Sequence, residues 1–160
     1  SLLQVPHHGH TEVRFSLNTQ TIIGKYEKGT ASLQERIEAA QKVSQAKYPL
    51  GFLIAPIITY DNWQQEYEEA IRALAEQIGR ESNPTFELIT HRFTKKAKSN
   101  IEQVFPNSTL PMDEEERQYK YGQFGYGKWV YPKETMADIK DFFEKTIAVA
   151  FPNSEIKYIV

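Results

Sequence analysis

Two observations predict an α/β fold with parallel strands. Strand-like and helix-like patterns alternate three times between residues 13 and 105, and one strand candidate, Leu50 to Ile58, is nearly continuously apolar. Alternation of this kind implies parallel strands joined by right-handed crossovers. An apolar run of that length suits a central strand covered on both faces. The natural architectures are half of a partial (β/α) barrel or an open doubly wound sheet.

Val13 to Asn18 alternates apolar and polar side chains, the period of a strand, and places Ser16 and Asn18 at its C-terminal end. Ser32-Leu33-Gln34-Glu35 is a capping box opening a helix with Leu33, Ile37, Ala40 and Val43 on one face, closed by Pro49. After the central strand, Asp61 or Asn62 can cap a second helix whose Trp63, Tyr67, Ala70, Ile71, Leu74 and Ile78 recur at helical spacing, with Gly79 at its end. Thr85 to Phe93 reads as the third strand. Thr94 then caps a third helix, expected to turn Ala97, Ile101, Val104 and Phe105 inward and to stop before Pro106.

Beyond residue 112 the style changes. An acidic run, Asp113 to Glu116, precedes a segment from Arg117 to Lys133 that holds six aromatics, three glycines, four cations and no carboxylate. Rings offer stacking faces, cations attract phosphate and glycines let backbone approach closely, so the segment suits a nucleic-acid contact. It equally suits a β-hairpin whose alternate rings pack inward, and the two readings can coexist. A helix from about Thr135 to Ala150 and a short strand, Glu155 to Val160, complete the chain. The expected organisation is residues 1–112 as β/α units and 113–160 as a hairpin–helix–strand extension packed on the same unit.

The bulk numbers bound the function. At 160 residues, 40% apolar and 25% charged, one globular unit is expected. A net charge of −2 argues against a generic polyanion binder, so a nucleic-acid site must come from local clustering such as Arg92, Lys95, Lys96 and Lys98. The absence of cysteine removes disulfides, thiol nucleophiles and iron–sulfur ligation from the chain's own repertoire. No apolar run reaches membrane-spanning length and no secretory pattern opens the chain, so no membrane partner is expected. The start at Ser1-Leu2-Leu3 without Met suggests a fragment or processed chain.

His7, His8 and His10 could in principle share a metal ion, but no acidic or thiol ligand stands at suitable spacing, and an exposed loop is the simpler reading. His91 and Arg92 lead into Thr94-Lys95-Lys96, a strand end and helix start that together favour anions. Ser16 and Asn18, Ala55 and Pro56, and His91 all fall near strand ends, where parallel α/β sheets hold ligands. No phosphate loop or hydrolytic triad sharpens that site.

The segments RFSLN (Arg14–Asn18), YPLGFLIAPI (Tyr48–Ile57), TFELITHRFTKKAK (Thr85–Lys98) and KYGQFGYGKWVY (Lys120–Tyr131), followed by a helix and FPNSEIKY, resemble the C-terminal half of the spore photoproduct lyase family. The resemblance runs in order over essentially the whole chain. It implies a radical S-adenosylmethionine enzyme that repairs the thymine dimer 5-thyminyl-5,6-dihydrothymine in spore DNA. In that family a [4Fe–4S] cluster cleaves the cofactor to a 5′-deoxyadenosyl radical, which abstracts hydrogen from the lesion. The implied location is the cytoplasm, in the spore core.

On this resemblance Ser16 and Asn18 match positions near the cofactor ribose, Ala55 matches a backbone contact to adenine, and Gly122 to Gly125 match a hairpin tip that enters DNA. Gln123, Phe124, Lys128, Arg92, Lys95 and Lys96 are the expected DNA-binding residues, with no metal ligand in this chain. The family's tip usually carries Arg then Tyr. Gln123 and Phe124 remove a guanidinium and a phenolic hydroxyl but keep a stackable ring, a departure that bears on lesion binding and lesion identity. The cluster cysteines, the hydrogen-donating cysteine and the family's N-terminal tyrosines belong to the half not present, so this chain alone is expected to be inert and to need the missing N-terminal half as partner. The alternatives are a stand-alone nucleic-acid-binding module and a related radical enzyme with another substrate.

Overall fold

The computed structural model describes every residue except Ser1, Gln123, Phe124 and Tyr126. After a 3-10 turn at Leu2–Gln4 the elements are β1 (Val13–Leu17), α1 (Gln20–Tyr26), α2 (Leu33–Gln45), β2 (Leu50–Ile57), α3 (Trp63–Ile78), β3 (Thr85–Thr90), α4 (Lys95–Val104), β4 (Gln118–Tyr121), β5 (Gly127–Val130), α5 (Lys133–Ala150) and β6 (Glu155–Ile159). Four strands form one sheet in the order β1-β2-β3-β6, every pair parallel. β4 and β5 form a separate antiparallel hairpin.

The core lies on one face of the sheet. Leu17, Leu50, Phe52, Ile54, Phe86 and Leu88 point from the strands into a cluster with Ile37, Ala40 and Val43 of α2, Tyr67, Ile71 and Leu74 of α3, and Ile139, Phe143 and Ile147 of α5. In α2 and α3 these are the apolar stripes that the helical spacing picked out, and each fully buried Leu, Ile or Phe contributes about 1.5–3 kcal/mol of transfer free energy. The capping box at Ser32 forms as expected, with Ser32 and Glu35 bonding each other's backbone N–H.

The opposite face is different. In register, Arg14, Gly51 and Thr85 make one row, and Ser16, Leu53, Glu87 and Tyr158 make the next. Arg14 and Ser16 are exposed, and Leu53, Ala55, Thr85 and Glu87 are half-buried. The expectation that β2 is covered on both faces is therefore corrected. Helices on one side only are what a barrel requires, whereas a doubly wound sheet covers both.

Arg14 crosses that open face, donating to Glu12 at 2.7 Å and to Glu87 at 2.8 Å. Its path passes over Gly51, where a Cβ would lie 3.0 Å from Arg14 Cγ, Glu12 Oε1 and Thr85 Oγ1. The hydrogen bond from Arg14, followed by that from Thr85, holds the Glu12 carboxyl below its ordinary range against the opposing effect of burial.

Other expectations also change. The third strand ends at Thr90 rather than Phe93, because the chain leaves the sheet at His91 and Phe93 instead bridges Trp129 of the hairpin. Helix α1, capped by the Thr19 hydroxyl, follows β1 without an obvious pattern in its seven residues. Asn62 begins α3 in a left-handed conformation with no side-chain cap bond. Helix α4 buries no residue, and Val104 and Phe105 stand 65% and 63% exposed rather than inward. α4 follows the end of β3 with Ala97, Lys98 and Ile101 half-buried. His7 does not stay free: it stacks on Tyr48 at 3.7 Å and its Nε2 lies 3.0 Å from Ala46 O.

A crevice at the strand tips beneath a cationic hairpin

Ser16, Asn18 and Ala55 come together where β1 and β2 end, as strand polarity requires. Their surroundings separate them. Ser16 is exposed on the open face, one register row beyond Arg14. Ala55 is half-buried beside it, and its peptide bond to Pro56 is cis. Asn18 is 1% exposed. Its Oδ1 accepts from Thr19 N at 3.0 Å and from the Tyr67 hydroxyl at 2.9 Å, while its Nδ2 donates to Pro56 O at 3.1 Å and to Glu27 at 3.4 Å.

Asn18 is thus a tie between β1, β2 and α3, with its amide spent inside the protein. Tyr67 completes the tie by accepting from Ile58 N at 3.3 Å, and burial pushes its hydroxyl far above the ordinary tyrosine range. A second network lies alongside. Glu66 accepts from Tyr60 at 3.0 Å and Thr21 at 2.9 Å, and Tyr60 meets the Thr19 hydroxyl at 2.7 Å. Burial, reinforced by Glu66, raises the Tyr60 hydroxyl to about 12. Both phenols therefore remain protonated hydrogen-bonding groups. Behind β1, buried Arg36 pairs with Glu27 at 2.6 Å and donates to Ala31 O at 2.9 Å.

The hairpin stands at the same end of the sheet. Phe93 N donates to Trp129 O at 3.1 Å and Trp129 N to Phe93 O at 2.7 Å, so β5 is joined to the segment leaving β3. Gln118 to Tyr121 are all exposed, Tyr121 at 77%. Among the described rings of the hairpin segment Tyr131 is buried, Trp129 is half-buried, and Tyr119 and Tyr121 are exposed.

The cations gather near its root. Lys120 sits directly opposite Lys128 across the hairpin. Like charges so placed are destabilising, by about 0.2–1 kcal/mol. Desolvation lowers the Lys128 ammonium below the ordinary lysine range, and Arg92 and then Lys120 lower it further. Arg92, Lys95 and Lys96 are exposed, and none forms an ion pair among the described residues. Lys98 does pair, with Glu114 at 3.5 Å. An uncompensated cluster of this kind gains most from an arriving anion. Gln123 and Phe124 lie outside the described residues.

Arg117, Tyr131 and His91 join this site without a sequence signal that singled them out as a group. Arg117 is 9% exposed, stacks 3.7 Å from the centre of the Tyr131 ring, and donates to His91 O at 2.8 Å and Pro111 O at 3.1 Å. Burial, followed by the charge of Arg117, depresses the His91 imidazole to about 4.

This arrangement can be set against known proteins. The family model described as spore photoproduct lyase matches residues 1–160. A spore photoproduct lyase from Clostridium acetobutylicum is 47% identical over 159 residues, covering 99% of this chain and 47% of the relative. That of Bacillus subtilis is 43% identical over 159 residues, covering 98% and 46%. A solved spore photoproduct lyase variant with bound AdoMet and dinucleoside spore photoproduct superposes with a TM-score of 0.93 at 41% identity, covering 99% of this chain and 47% of that one. Another, complexed with dinucleoside spore photoproduct, gives 0.93 at 42%, with the same coverage.

The chain spans about half the length of the curated relatives it matches. Its parallel sheet, with helices on one side and an added hairpin, is half of a partial (β/α) barrel. By the match along its whole length, the chain belongs to the spore photoproduct lyase family.

Proposed function

We propose that this chain is the C-terminal half of a radical S-adenosylmethionine enzyme that repairs 5-thyminyl-5,6-dihydrothymine in DNA. The observation that carries this is the open sheet face, whose polar strand tips lie at the same end as a cationic hairpin. A parallel sheet left bare on one side exposes a surface that needs a complement, and a missing N-terminal half supplies one.

S-adenosylmethionine fits the tips. Ser16 offers an exposed hydroxyl for the ribose, and small Ala55 leaves room for adenine to approach backbone. Asn18 acts one step back, holding the end of β1 against Pro56 and Tyr67. Bound there, the cofactor supplies hydrogen-abstracting chemistry to the lesion. An iron–sulfur cluster does not fit this chain, which has no cysteine to ligate it. The cluster thiolates therefore come from the other half, and the chain alone is inactive. Within residues 113–160 the β4–β5 hairpin is the DNA-reading part, while α5 packs in the core and β6 pairs with β3 as part of the β/α layer.

Arg92, Lys95, Lys96 and Lys128 hold the DNA backbone. Extruding a damaged base costs a few kcal/mol. Stacking on Phe124, worth about 1–3 kcal/mol, offsets part of it.

The test is repair of an oligonucleotide holding one such lesion, under reducing anaerobic conditions with S-adenosylmethionine. Full-length protein is expected to restore the thymines, and the 160-residue chain alone to leave the lesion intact. Intact lesion with both would overturn the assignment. Separately, Lys95→Ala with Lys96→Ala should weaken binding to damaged and plain duplex alike and reduce the salt slope by about 2, near 0.9 per lost phosphate contact. An unchanged slope would remove the phosphate role of that helix start.

A further inference from the structure

Beyond the two Phe93–Trp129 backbone bonds, the hairpin arm is tied to the sheet end by a small buried cluster of side chains. Arg117 immediately precedes β4 and Tyr131 immediately follows β5, so their stacked side chains close the root of the hairpin. From that stack three bonds reach the strand tips. Arg117 donates to the carbonyl of His91, which itself donates from its N–H to Ile57 O at 2.8 Å. The Arg117 Nη2 also lies 3.3 Å from His91 Nδ1. The Tyr131 hydroxyl accepts from Thr59 N at 3.0 Å, just past the end of β2.

A buried guanidinium is costly unless its donors are satisfied. Here carbonyl oxygens and a ring satisfy it, with no ion-pairing carboxylate among the described residues. Only arginine can do this. Its planar fork donates in diverging directions while its flat face stacks, whereas a lysine ammonium is a point charge without a stacking face. Gln118 to Tyr121 are all exposed, so β4 is held through half-buried β5, which is anchored by the Phe93–Trp129 bonds and by this joint.

We propose that Arg117 is a positioning residue for lesion recognition. It bolts the hairpin at a set angle above the strand tips, so that preference for damaged over undamaged duplex depends on a guanidinium that touches no DNA. The inference rests on the function proposed above and adds a residue to it. It separates two roles: exposed cations set general affinity, and the buried cation sets geometry.

The experiment compares full-length protein with its Arg117→Lys and Tyr131→Phe variants. Binding is followed by fluorescence anisotropy on a duplex bearing one spore photoproduct and on the same duplex undamaged, over a range of salt. For Arg117→Lys the damaged-to-plain affinity ratio should fall about tenfold, while plain-duplex affinity and salt slope stay as in wild type. Hydrogen exchange should quicken across residues 118–131 and remain unchanged in α2 and α3. Tyr131→Phe keeps the stack and removes only the bond to Thr59, so it should fold and lose about threefold in the ratio.

Retention of the wild-type ratio by Tyr131→Phe and by any folded Arg117→Lys overturns the joint alone. So does a salt slope lowered by about 1, which would make Arg117 a phosphate contact. A wild-type protein indifferent to damage overturns the functional reading and the joint with it.

Discussion

Replacing Asn18 with alanine distinguishes a residue that binds a ligand from one that builds the place where a ligand binds. The side chain is 1% exposed and makes four hydrogen bonds. Truncation leaves Thr19 N without its side-chain acceptor, and Pro56 O keeps only the Tyr67 hydroxyl at 3.5 Å. Tyr67 retains Ile58 N and loses its better acceptor. Each buried polar group left unpaired costs about 1–3 kcal/mol, so two clear losses come to roughly 3 kcal/mol. For a protein of this size that is a fall of about 6–12 °C in Tm.

Ser16→Ala, by contrast, alters an exposed hydroxyl and should change stability by less than about 0.5 kcal/mol. The assay pairs denaturant midpoints, read by tryptophan fluorescence, with titration of S-adenosylmethionine into the full-length protein. Asn18→Ala should lose stability first, with cofactor affinity falling as a consequence. Ser16→Ala should lose affinity with its midpoint intact. An Asn18→Ala protein with wild-type midpoint and weakened cofactor binding would refute the reasoning, because the amide would then be a direct ligand.

Further outcomes follow from the same contacts. His91 is held near 4 against an ordinary 6.5, so its neutral form, packed against Arg117, contributes stability that is complete above 6.5 and lost as pH falls toward 4. At 1.36 kcal/mol per pH unit the loss is at most about 3 kcal/mol. Denaturant midpoints of wild type and His91→Gln between pH 7 and 4.5 should converge on acidification, and parallel curves would contradict the linkage. Gly51→Ala should cost about 1–2 kcal/mol by crowding Arg14, Glu12 and Thr85. Adding Arg14→Ala should recover part of that cost in a double-mutant cycle, and strict additivity would mean that the crossing of Arg14 over Gly51 is not what requires glycine.

Periodicity located most of the fold because most elements have one wet and one dry side. The stripes of α2, α3 and α5 are visible in the spacing of Ile37, Ala40 and Val43, of Tyr67, Ile71 and Leu74, and of Ile139, Phe143 and Ile147. Where pattern and structure parted, tertiary context decided. Val104 and Phe105 have helical spacing, yet both stand mostly exposed. β2 reads as a strand buried on both faces because its residues are nearly all apolar, whereas Leu53 and Ala55 on its second face are half-buried.

Among site residues, strand polarity was enough to bring Ser16, Asn18 and Ala55 to one place. It could not show that Asn18 faces inward, since the partners Tyr67 and Pro56 are set by tertiary packing. Arg117 reads in the sequence as one of four cations of a nucleic-acid-contacting segment, and its burial instead depends on carbonyls of His91 and Pro111 brought near by the fold.

The sheet order has a bearing on how the polypeptide is made. β6 is made after α4, the hairpin and α5, yet its place is beside β3, so one edge of β3 waits unpaired while they are synthesised. A waiting strand edge invites pairing with another chain. Deleting Glu155 to Val160 should therefore yield aggregates during expression, even though α1 to α5 and the strand-tip residues are kept.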